Sequence, residues 1–381
     1  MILTDLPAGF HDDPFPHYAV LREAGAVRQS DGSVLLGRHA DLTAIYKDTE
    51  TFRSDKTEVF RPKYGESPLY EHHTTSLVFN DPPLHTRVRR VLTGALTPRA
   101  LERLRPSLAA LVDRLMDDLG PTPDLIEQFA AAIPVEVIGD LLAVPRAERG
   151  PLRDWSLAIL GALEPALAPE ARARGNAAVT DFLAYLRDLV TRRRVAPGDP
   201  ETDVLTRLLQ DGDLSEAELL HNCIFILNAG HETTTNLIGN ALWLLDRSPV
   251  HRRGDVAQIV EETLRLESPN QFGNRQTTRA VTLHGLDIPA GTDLHLCIGA
   301  ANRDLEVFAT PDEMRLDRGA PRHLAFAAGP HVCIGLTLAR MEGQVALDAF
   351  LRRFPDYRIT GGQRGNRVRF RGFERLDATL A

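Results

Sequence analysis

The stretch Phe326-Ala-Ala-Gly-Pro-His-Val-Cys-Ile-Gly335 runs directly into Leu336-Thr-Leu-Ala-Arg-Met-Glu342, whose composition predicts a helix. A cysteine just before a helix has its thiolate favoured by the helix dipole and by nearby backbone N–H groups. Gly329 leaves room where something flat and bulky approaches the backbone, and His331 supplies a cationic or hydrogen-bonding group. This setting indicates that Cys333 is a metal ligand, rather than the buried structural cysteine that a lone Cys otherwise suggests.

The pattern Phe-x-x-Gly-x-His-x-Cys-x-Gly, at residues 326–335, resembles the haem-ligand loop of the cytochrome P450 family. The resemblance implies that Cys333 binds haem iron, because a thiolate ligand pushes electron density that favours O–O cleavage. Four further residues of the loop then contact the haem: Phe326, Gly329, His331 and Gly335. The second position of the loop is usually Gly in the family but is Ala327 here, which we expect to change packing below the ring more than chemistry.

The composition narrows the class of protein. The chain has 381 residues, 43% of them hydrophobic and 25% charged, without a linker or repeat, which favours one large domain over residues 1–381. The formal net charge of −8 argues against nucleic acid as a partner. Cys223, Cys297 and Cys333 are odd in number and far apart, so no disulfide framework is expected. The first residues resemble neither a signal peptide nor a membrane anchor, and we expect a cytoplasmic monomer.

The hydrophobic pattern predicts a mainly α fold with small β-sheets near both ends, as in the P450 family, where a large helical domain encloses haem. The segment 53–76 mixes charge, Pro, Gly and aromatics without a period, which predicts a long, adaptable substrate-access loop. Ser215 and Glu218 form a capping box that begins a long oxygen-binding helix, 215–245. The other predicted elements are a hairpin at 27–37, helices through most of 81–194, a helix at 256–266, short strands after 269, a helix at 336–354 and a terminal hairpin around Gly361-Gly362 and Gly372.

The stretch Ala229-Gly230-His-Glu232-Thr233-Thr234 lies in the middle of the long helix. Gly and consecutive Thr residues are poor choices for a helix interior, so we expect a local distortion there. The stretch resembles the oxygen-activation segment of the P450 family, which implies that Thr233 hydrogen-bonds dioxygen and Glu232 passes protons inward. By the same resemblance, Ala229 and Gly230 keep the helix close to the haem.

Two further sets of residues match motifs of the family. His85 and Arg89 lie at i,i+4 on one helix face, and they resemble the pair that binds the haem propionates. Arg275 and His331 match the remaining partners of those carboxylates. A structural triad matches the buried ion pairs of the family: Glu262, Arg265 and Arg318.

The substrate pocket is the least defined part of the prediction. By analogy with the family it is lined by Phe225, Asn228, Gln271 and Phe272. The two amides favour a substrate that carries its own hydrogen-bonding groups, such as an oxygenated aromatic or a natural-product intermediate. Lys56, Arg61 and Lys63 serve either an acidic substrate or solubility. The segment 247–254 is short for the family, so we expect the helix there to be trimmed or missing.

The resemblance implies a haem-thiolate monooxygenase that uses haem b and inserts one atom of dioxygen into a small organic substrate. Electrons would come from an external ferredoxin or flavodoxin with its NAD(P)H reductase. A peroxide-using or coupling enzyme with the same haem is the first alternative, although Glu232 and Thr233 argue against obligate peroxide use. A non-enzymatic haem sensor would need neither residue. A haem-free helical scaffold would require every motif to be accidental.

Overall fold

A 32-residue helix, Glu216–Arg247, runs through the centre of the computed structural model, which describes residues 3–319 and 322–380. The predicted capping box begins this helix. The Ser215 hydroxyl accepts from the Glu218 N–H at 3.2 Å, and Glu218 Oε2 accepts from the Ser215 N–H at 2.8 Å. These bonds satisfy backbone groups that a helix start leaves without partners.

The helices of the described residues are α1 Phe15–Ala24, α2 His39–Lys47, α3 Thr57–Tyr64, α4 Pro68–Thr75, α5 Leu84–Ala95, α6 Pro98–Glu102, α7 Arg105–Asp117, α8 Ala132–Leu141, α9 Leu152–Gly161, α10 Pro169–Val195, α11 Val204–Asp211, α12 Glu216–Arg247, α13 Val256–Leu266, α14 Ile298–Ala301 and α15 Leu336–Arg353. Short 3-10 helices lie at Leu77–Phe79, Arg146–Glu148, Pro249–Arg253 and Gly329–His331, and a π-helix lies at Ile126–Ala130. The strands are β1 Ala26–Arg28, β2 Val34–Leu36, β3 Phe52–Arg53, β4 Phe272–Thr277, β5 Val281–Leu283, β6 Leu286–Ile288, β7 Asp293–Cys297, β8 Arg358–Arg364 and β9 Phe373–Thr379.

The largest sheet has the strand order β1-β2-β7-β4-β3. Strands β1 and β2 form the predicted hairpin, β2 runs parallel to β7, and β7 runs antiparallel to β4, with Asn274 opposite His295. Because side chains alternate along a strand, Asn274 and Arg275 point to opposite faces of this sheet. Two small antiparallel pairs, β5-β6 and β8-β9, complete the sheets of the described residues.

The main hydrophobic core surrounds α12. Leu237, Ile238 and Leu242 of this helix are almost fully buried, and they belong to the same cluster as residues of the neighbouring helices, such as Ile138 and Leu347. Full burial of one such side chain stabilises the fold by about 1.5–3 kcal/mol. A second cluster, between the five-stranded sheet and α2, contains Leu42, Ile45, Leu294 and Leu296.

Several sequence predictions match the structure closely. The helix predicted at 256–266 is α13, and the helix predicted to end at Leu245 ends at Arg247. The shortened segment 247–254 contains only the 3-10 helix Pro249–Arg253. The terminal hairpin is present, but Gly361 and Gly362 lie within β8, and the connection between its strands is 365–372. No helix of the described part of the chain is long and apolar enough to span a membrane.

The prediction of a long loop at 53–76 is wrong. This segment contains β3, α3 and α4, and Ser67 caps α4 by accepting a hydrogen bond from the Tyr70 N–H at 3.4 Å. Phe60, Tyr64 and Leu69 are buried in the main core. Helices of eight residues are marginal by themselves, so they depend on this packing, which a periodicity over two turns does not display.

One buried carboxyl gives the fold a distinct pH dependence. Glu342 in α15 is 2% exposed, its Oε2 has no hydrogen-bond partner among the described residues, and burial raises its pKa from 4.5 to about 8. Because the folded state holds this proton more tightly than the unfolded state, the stabilisation is complete below pH 4.5 and is lost as the pH rises towards 8.

We therefore expect Glu342→Gln to remove this loss. Between pH 5 and pH 8, the free energy of unfolding of the variant should rise relative to that of the wild type by about 3–4 kcal/mol, measured by urea denaturation. Glu170→Gln, an exposed glutamate of α10, is the control and should follow the wild type at each pH. A constant difference between Glu342→Gln and the wild type across this range would contradict the prediction.

Candidate active site

The loop before α15 is held by its own backbone and by α2. The Cys333 N–H donates to Phe326 O at 2.9 Å, and the Val332 N–H donates to Gly329 O at 3.0 Å. Gly329 has φ 69°, and a Cβ there would lie 2.3 Å from Tyr46 O, so only glycine fits this position. Ala327 also has a positive φ, 57°. The usual Gly at this position thus has a backbone reason, since a left-handed conformation costs a residue with a Cβ about 1–2 kcal/mol.

Cys333 is partly buried at the start of α15. Burial raises the pKa of its thiol, whereas the Gly335 N–H, Arg89 and Arg340 lower it by smaller amounts. Backbone N–H groups do favour the thiolate, as predicted, but desolvation disfavours it by a larger amount. A metal cation lowers the pKa of a cysteine thiol that it binds, and would keep a buried cysteine deprotonated.

The structure brings together three of the four predicted partners of the haem carboxylates. The rings of His85 and His331 lie 3.9 Å apart, and Arg275 is close enough to lower the pKa of both histidines. Three of their buried donor atoms have no hydrogen-bond partner among the described residues: His85 Nε2, Arg275 Nε and Arg275 Nη2. His331 Nε2 lies 3.6 Å from Asp81 Oδ1, within ion-pair distance. Buried polar atoms are rarely left unpaired, so these donors fit an anionic group between them. Haem propionates have the required charge and number of acceptors.

Arg89, the fourth predicted partner, contacts the cysteine loop. Its Nη2 donates to Val332 O at 2.8 Å, and its charge acts on both Cys333 and His85. Burial, followed by the charges of His331 and Arg89, lowers the pKa of His85 to about 4. His85 is therefore neutral near pH 7, and its uncharged imidazole ring can donate one N–H to an acceptor.

The middle of α12 has an open face. Ala229 is exposed and Thr233 partly exposed within a helix whose other neighbours are mostly buried. The helix is uninterrupted here, so the predicted distortion is absent. The Thr233 and Thr235 hydroxyls instead donate to the carbonyls of Ala229 and His231, at 2.7 and 3.0 Å. Such back-bonding satisfies hydroxyls that would otherwise compete with the helix.

Gly230 lies against α8. A Cβ at Gly230 would lie 2.6 Å from Ile138 Cδ1 of α8, so the glycine permits close packing of α8 on α12. The sequence prediction placed Gly230 beside the cofactor with Ala229. A Cβ added at Gly230 would point towards α8, but the glycine itself is partly exposed, so its place beside the cofactor stays a prediction.

Glu232 is buried and paired. Its Oε2 accepts from Arg367 Nη1 at 2.8 Å. Burial, the largest effect, raises the pKa of Glu232 to about 7; Arg367 opposes this rise and Glu164 adds to it. A carboxyl with such a pKa can both take and release a proton near neutral pH.

Arg367 was missed by the sequence analysis. The signal that could have found it is the alternation Arg367-Val-Arg369-Phe-Arg371, which places three cations on one side of an extended segment. Each of the three reaches a different part of the interior: Arg367 contacts Glu232, Arg369 contacts Asn274, and Arg371 contacts Glu267.

The predicted pocket residues separate into two groups. Phe225 is partly buried and Asn228 is buried with an unpartnered Oδ1, both on α12 near Ala229. Phe272 instead packs edge-to-face on Tyr18 of α1, with ring centroids 6.0 Å apart. Gln271 Nε2 donates to Ser268 O at 2.6 Å. These two side chains pack towards α1 because the start of β4 faces that helix, so the structure does not bring them to the α12 face.

The predicted triad is assembled, with Glu262 and Arg265 fully buried and Arg318 partly buried. Glu262 Oε1 accepts from Arg265 Nε at 2.8 Å, and Glu262 Oε2 accepts from Arg318 Nε at 3.2 Å. The side chains of Glu262 and Arg265 are 1% and 0% exposed. The arginines also donate to backbone carbonyls of the irregular segment that precedes the cysteine loop: Asn302, Ala309, Thr310, Pro311 and Glu313.

Known proteins resemble this chain closely. A model of the cytochrome P450 family matches residues 256–358. Cytochrome P450 107B1 of Saccharopolyspora erythraea is 39% identical over 82% of this chain and 78% of its own length. Vitamin D(3) 25-hydroxylase of Pseudonocardia autotrophica is 35% identical over 94% of this chain and 91% of its own. The crystal structure of P450BioI, in complex with an acyl carrier protein ligated to hexadec-9Z-enoic acid, superposes with a TM-score of 0.92 and 29% identity, over 98% of this chain and 100% of that one.

The triad yields a prediction about folding. Glu262→Gln leaves two buried arginines without their carboxylate, which should lower the free energy of unfolding by about 3–5 kcal/mol. The measurement is urea denaturation at pH 7, together with the soluble yield. Glu313→Gln is the control, because Glu313 is exposed and contributes only its backbone carbonyl to the same arginines. Equal stability of the two variants would show that the buried pairs contribute little.

Proposed function

The chain belongs to the cytochrome P450 family and is a haem-thiolate monooxygenase; we propose that it binds haem b through Cys333 and receives electrons from a ferredoxin or flavodoxin. The reaction of the family inserts one oxygen atom of O₂ into an organic substrate and reduces the other to water, with two electrons and two protons. Bound haem supplies the iron at which dioxygen is activated. All other roles proposed below belong to side chains of this chain, which we infer acts as one haem-binding domain.

The unpartnered donors carry the proposal for the cofactor. Three buried donor atoms of His85 and Arg275 lack acceptors among the described residues, close to the loop that carries Cys333, and His331 Nε2 lies 3.6 Å from Asp81 Oδ1. Two propionates would satisfy them, and charge-assisted bonds of this kind are the strong ones. Arg89 bridges the propionate partners and the ligand loop through Val332 O. Phe326, Gly329 and Gly335 shape the loop against the ring.

Glu232 and Thr233 are the proposed proton-handling pair. The Thr233 hydroxyl borders the open face of α12 and can donate into it by exchanging its bond to Ala229 O. Glu232 holds a proton near neutral pH, and its neighbour Arg367 fixes the carboxylate when the proton has left. A hydroxyl that donates and accepts, next to a carboxyl that titrates near pH 7, suits proton delivery at an otherwise water-poor site.

The proposed docking face for the electron donor lies behind Cys333. Arg340 of α15 is partly exposed there, and it stacks on Phe326, with Cζ 4.8 Å from the ring centroid. Glu261 pairs with Arg340 at 2.6 Å and neutralises much of its charge. We therefore infer that Arg340 contributes little to the electrostatic steering of an acidic partner.

Substitution of the proposed ligand tests the proposal directly. Cys333→Ser should lose the thiolate-type Soret band of the reduced CO complex, because a hydroxyl does not replace a thiolate on iron. Cys223→Ser and Cys297→Ser are matched controls, since both cysteines are buried away from this loop. A thiolate-type spectrum that persists in Cys333→Ser would overturn the assignment.

Proton delivery has its own test. Thr233→Ala should bind haem and substrate normally but divert electrons to hydrogen peroxide, so that the ratio of product to NAD(P)H consumed falls about tenfold or more. Thr235→Ala is the control, because Thr235 makes the same back-bond to its helix but is buried away from the open face. Full coupling in Thr233→Ala would remove this residue from the proton path.

A further inference from the structure

Arg369 is a partly buried cation whose two hydrogen-bond acceptors are neutral. Its Nε donates to Leu163 O at 3.0 Å, and its Nη1 donates to Asn274 Oδ1 at 2.9 Å. Its two neighbours in the alternating arginine segment differ, because Arg367 and Arg371 each form an ion pair with a glutamate, at 2.8 and 2.7 Å. Within the described part of the chain, Arg369 has no carboxylate oxygen within ion-pair distance, and its Nη2 makes no hydrogen bond.

Lys63 of α3 is a second cation of this kind. Its Nζ donates to Glu164 O at 2.8 Å, a backbone carbonyl, and it has no ion pair among residues 3–319 and 322–380. Burial, and then the charge of Arg369, lowers its pKa to about 8. Lys63 and Arg369, the basic pair, therefore lie close enough to repel each other.

One explanation of the basic pair is that it caps α9. The carbonyls of Leu163 and Glu164 follow the end of α9, and the neighbouring Ala162 O accepts from the Tyr64 hydroxyl at 2.8 Å. The negative end of a helix attracts a cation. This attraction accounts for one cation but not for two that repel each other. The nearby Glu164 carboxylate pairs with Arg367 at 3.4 Å, and its charge also acts to raise the pKa of Lys63 and of Arg369, so one carboxylate serves three cations.

The basic pair is connected to the proposed active site through Glu164, whose backbone carbonyl accepts from Lys63 and whose carboxylate pairs with Arg367. Arg369 is two residues from Arg367, which contacts Glu232 next to Thr233. On its other side, Arg369 contacts Asn274, which points to the opposite sheet face from the propionate partner Arg275. The pair is therefore separated by strand β4 from the donors assigned to the propionates. An anion that it binds is a group other than the haem carboxylates.

A cluster of aromatic rings lies near Lys63, in which Phe60 and Tyr64 are buried and Phe79 is partly exposed. Phe60, from the same helix, packs edge-to-face on Phe79, with ring centroids 4.9 Å apart, and on Tyr64, with centroids 5.3 Å apart. Phe79 is only partly buried. The α3 segment thus presents a cation next to aromatic rings, an arrangement suited to a molecule that has an anionic end and an apolar body.

We propose that Lys63 and Arg369 bind the carboxylate of an amphipathic substrate and so orient its apolar body towards Thr233. This inference rests on the monooxygenase function proposed above and specifies the chemical class of its substrate. Arg369 offers its free Nη2, and Lys63 offers the two ammonium protons that Glu164 O does not use. Both cations are held by backbone carbonyls before the anion arrives, which limits the ordering cost of binding.

A matched pair of ligands tests the proposal: dodecanoate and dodecan-1-ol, which share a chain and differ in charge. Their dissociation constants for the haem-loaded protein are measured at pH 7 by the spin-state shift and, independently, by calorimetry. We expect the affinity of the wild type for dodecanoate to exceed its affinity for the alcohol by a factor of about ten or more, as for a charge-assisted hydrogen bond. Lys63→Met and Arg369→Met should each remove most of this preference while leaving the affinity for the alcohol unchanged. Lys63→Arg should retain it.

Arg61→Met is the control, because Arg61 lies on the same helix but is exposed and pairs with Glu66. An equal loss of preference in Arg61→Met would indicate general surface electrostatics and overturn the proposal. Equal affinity of the wild type for the two ligands, or no binding of either, would also overturn it. If Lys63→Met and Arg369→Met weakened the binding of both ligands equally, the basic pair would have only a structural role at the end of α9. That result would also overturn the proposal. The CO spectrum of each preparation is also recorded. A thiolate-type band would persist in all of these outcomes, whereas its absence would show that the proposed function itself had failed.

Discussion

A fully buried carboxylate, Glu262, secures the part of the chain that carries the proposed iron ligand. The segment between α14 and the cysteine loop has little regular secondary structure, so its backbone carbonyls need other donors. Arg265 and Arg318 supply those donors, and Glu262 compensates the charge of both arginines. Without the carboxylate, the two guanidinium groups would be buried charges with only neutral acceptors. This ion-pair network therefore helps to set the position of the Cys333 loop relative to α13, together with Glu261 of α13, which pairs with His323 and Arg340.

The loop itself is shaped by close backbone contact. Gly329 leaves no room for a side chain against Tyr46 O, and the Cys333 N–H is fixed on Phe326 O. Ala327 has a left-handed backbone in this loop, which the surrounding contacts impose on it. The thiol is thus aimed by the backbone, whereas its ionisation is disfavoured by burial and requires a cation.

Charge is distributed unevenly around α12. On one side, His85 and Arg275 present unpartnered donors that fit an anionic cofactor, and His331 lies against His85. On the other side, the alternating arginines approach the middle of α12 from the β8–β9 connection, and Glu232 meets Arg367 there. The same connection brings Arg369 to Leu163 O, next to the carbonyl that binds Lys63. The chain has a net charge of −8, yet Arg367 brings a positive charge against the middle of its central helix.

The sequence by itself determined the features that depend on neighbours along the chain. Four features depend on residues only a few positions apart: the Cys333 loop, the capping box at Ser215, the bounds of α13 and the Glu262–Arg265 spacing. Only the tertiary structure decided which faces meet. It made two helices of the segment 53–76, turned Gly230 towards α8 and packed Phe272 on Tyr18. It also joined Glu232 to Arg367, 135 residues away. Local periodicity and capping record how a segment folds, whereas the contact of distant segments is set by packing that no short pattern contains.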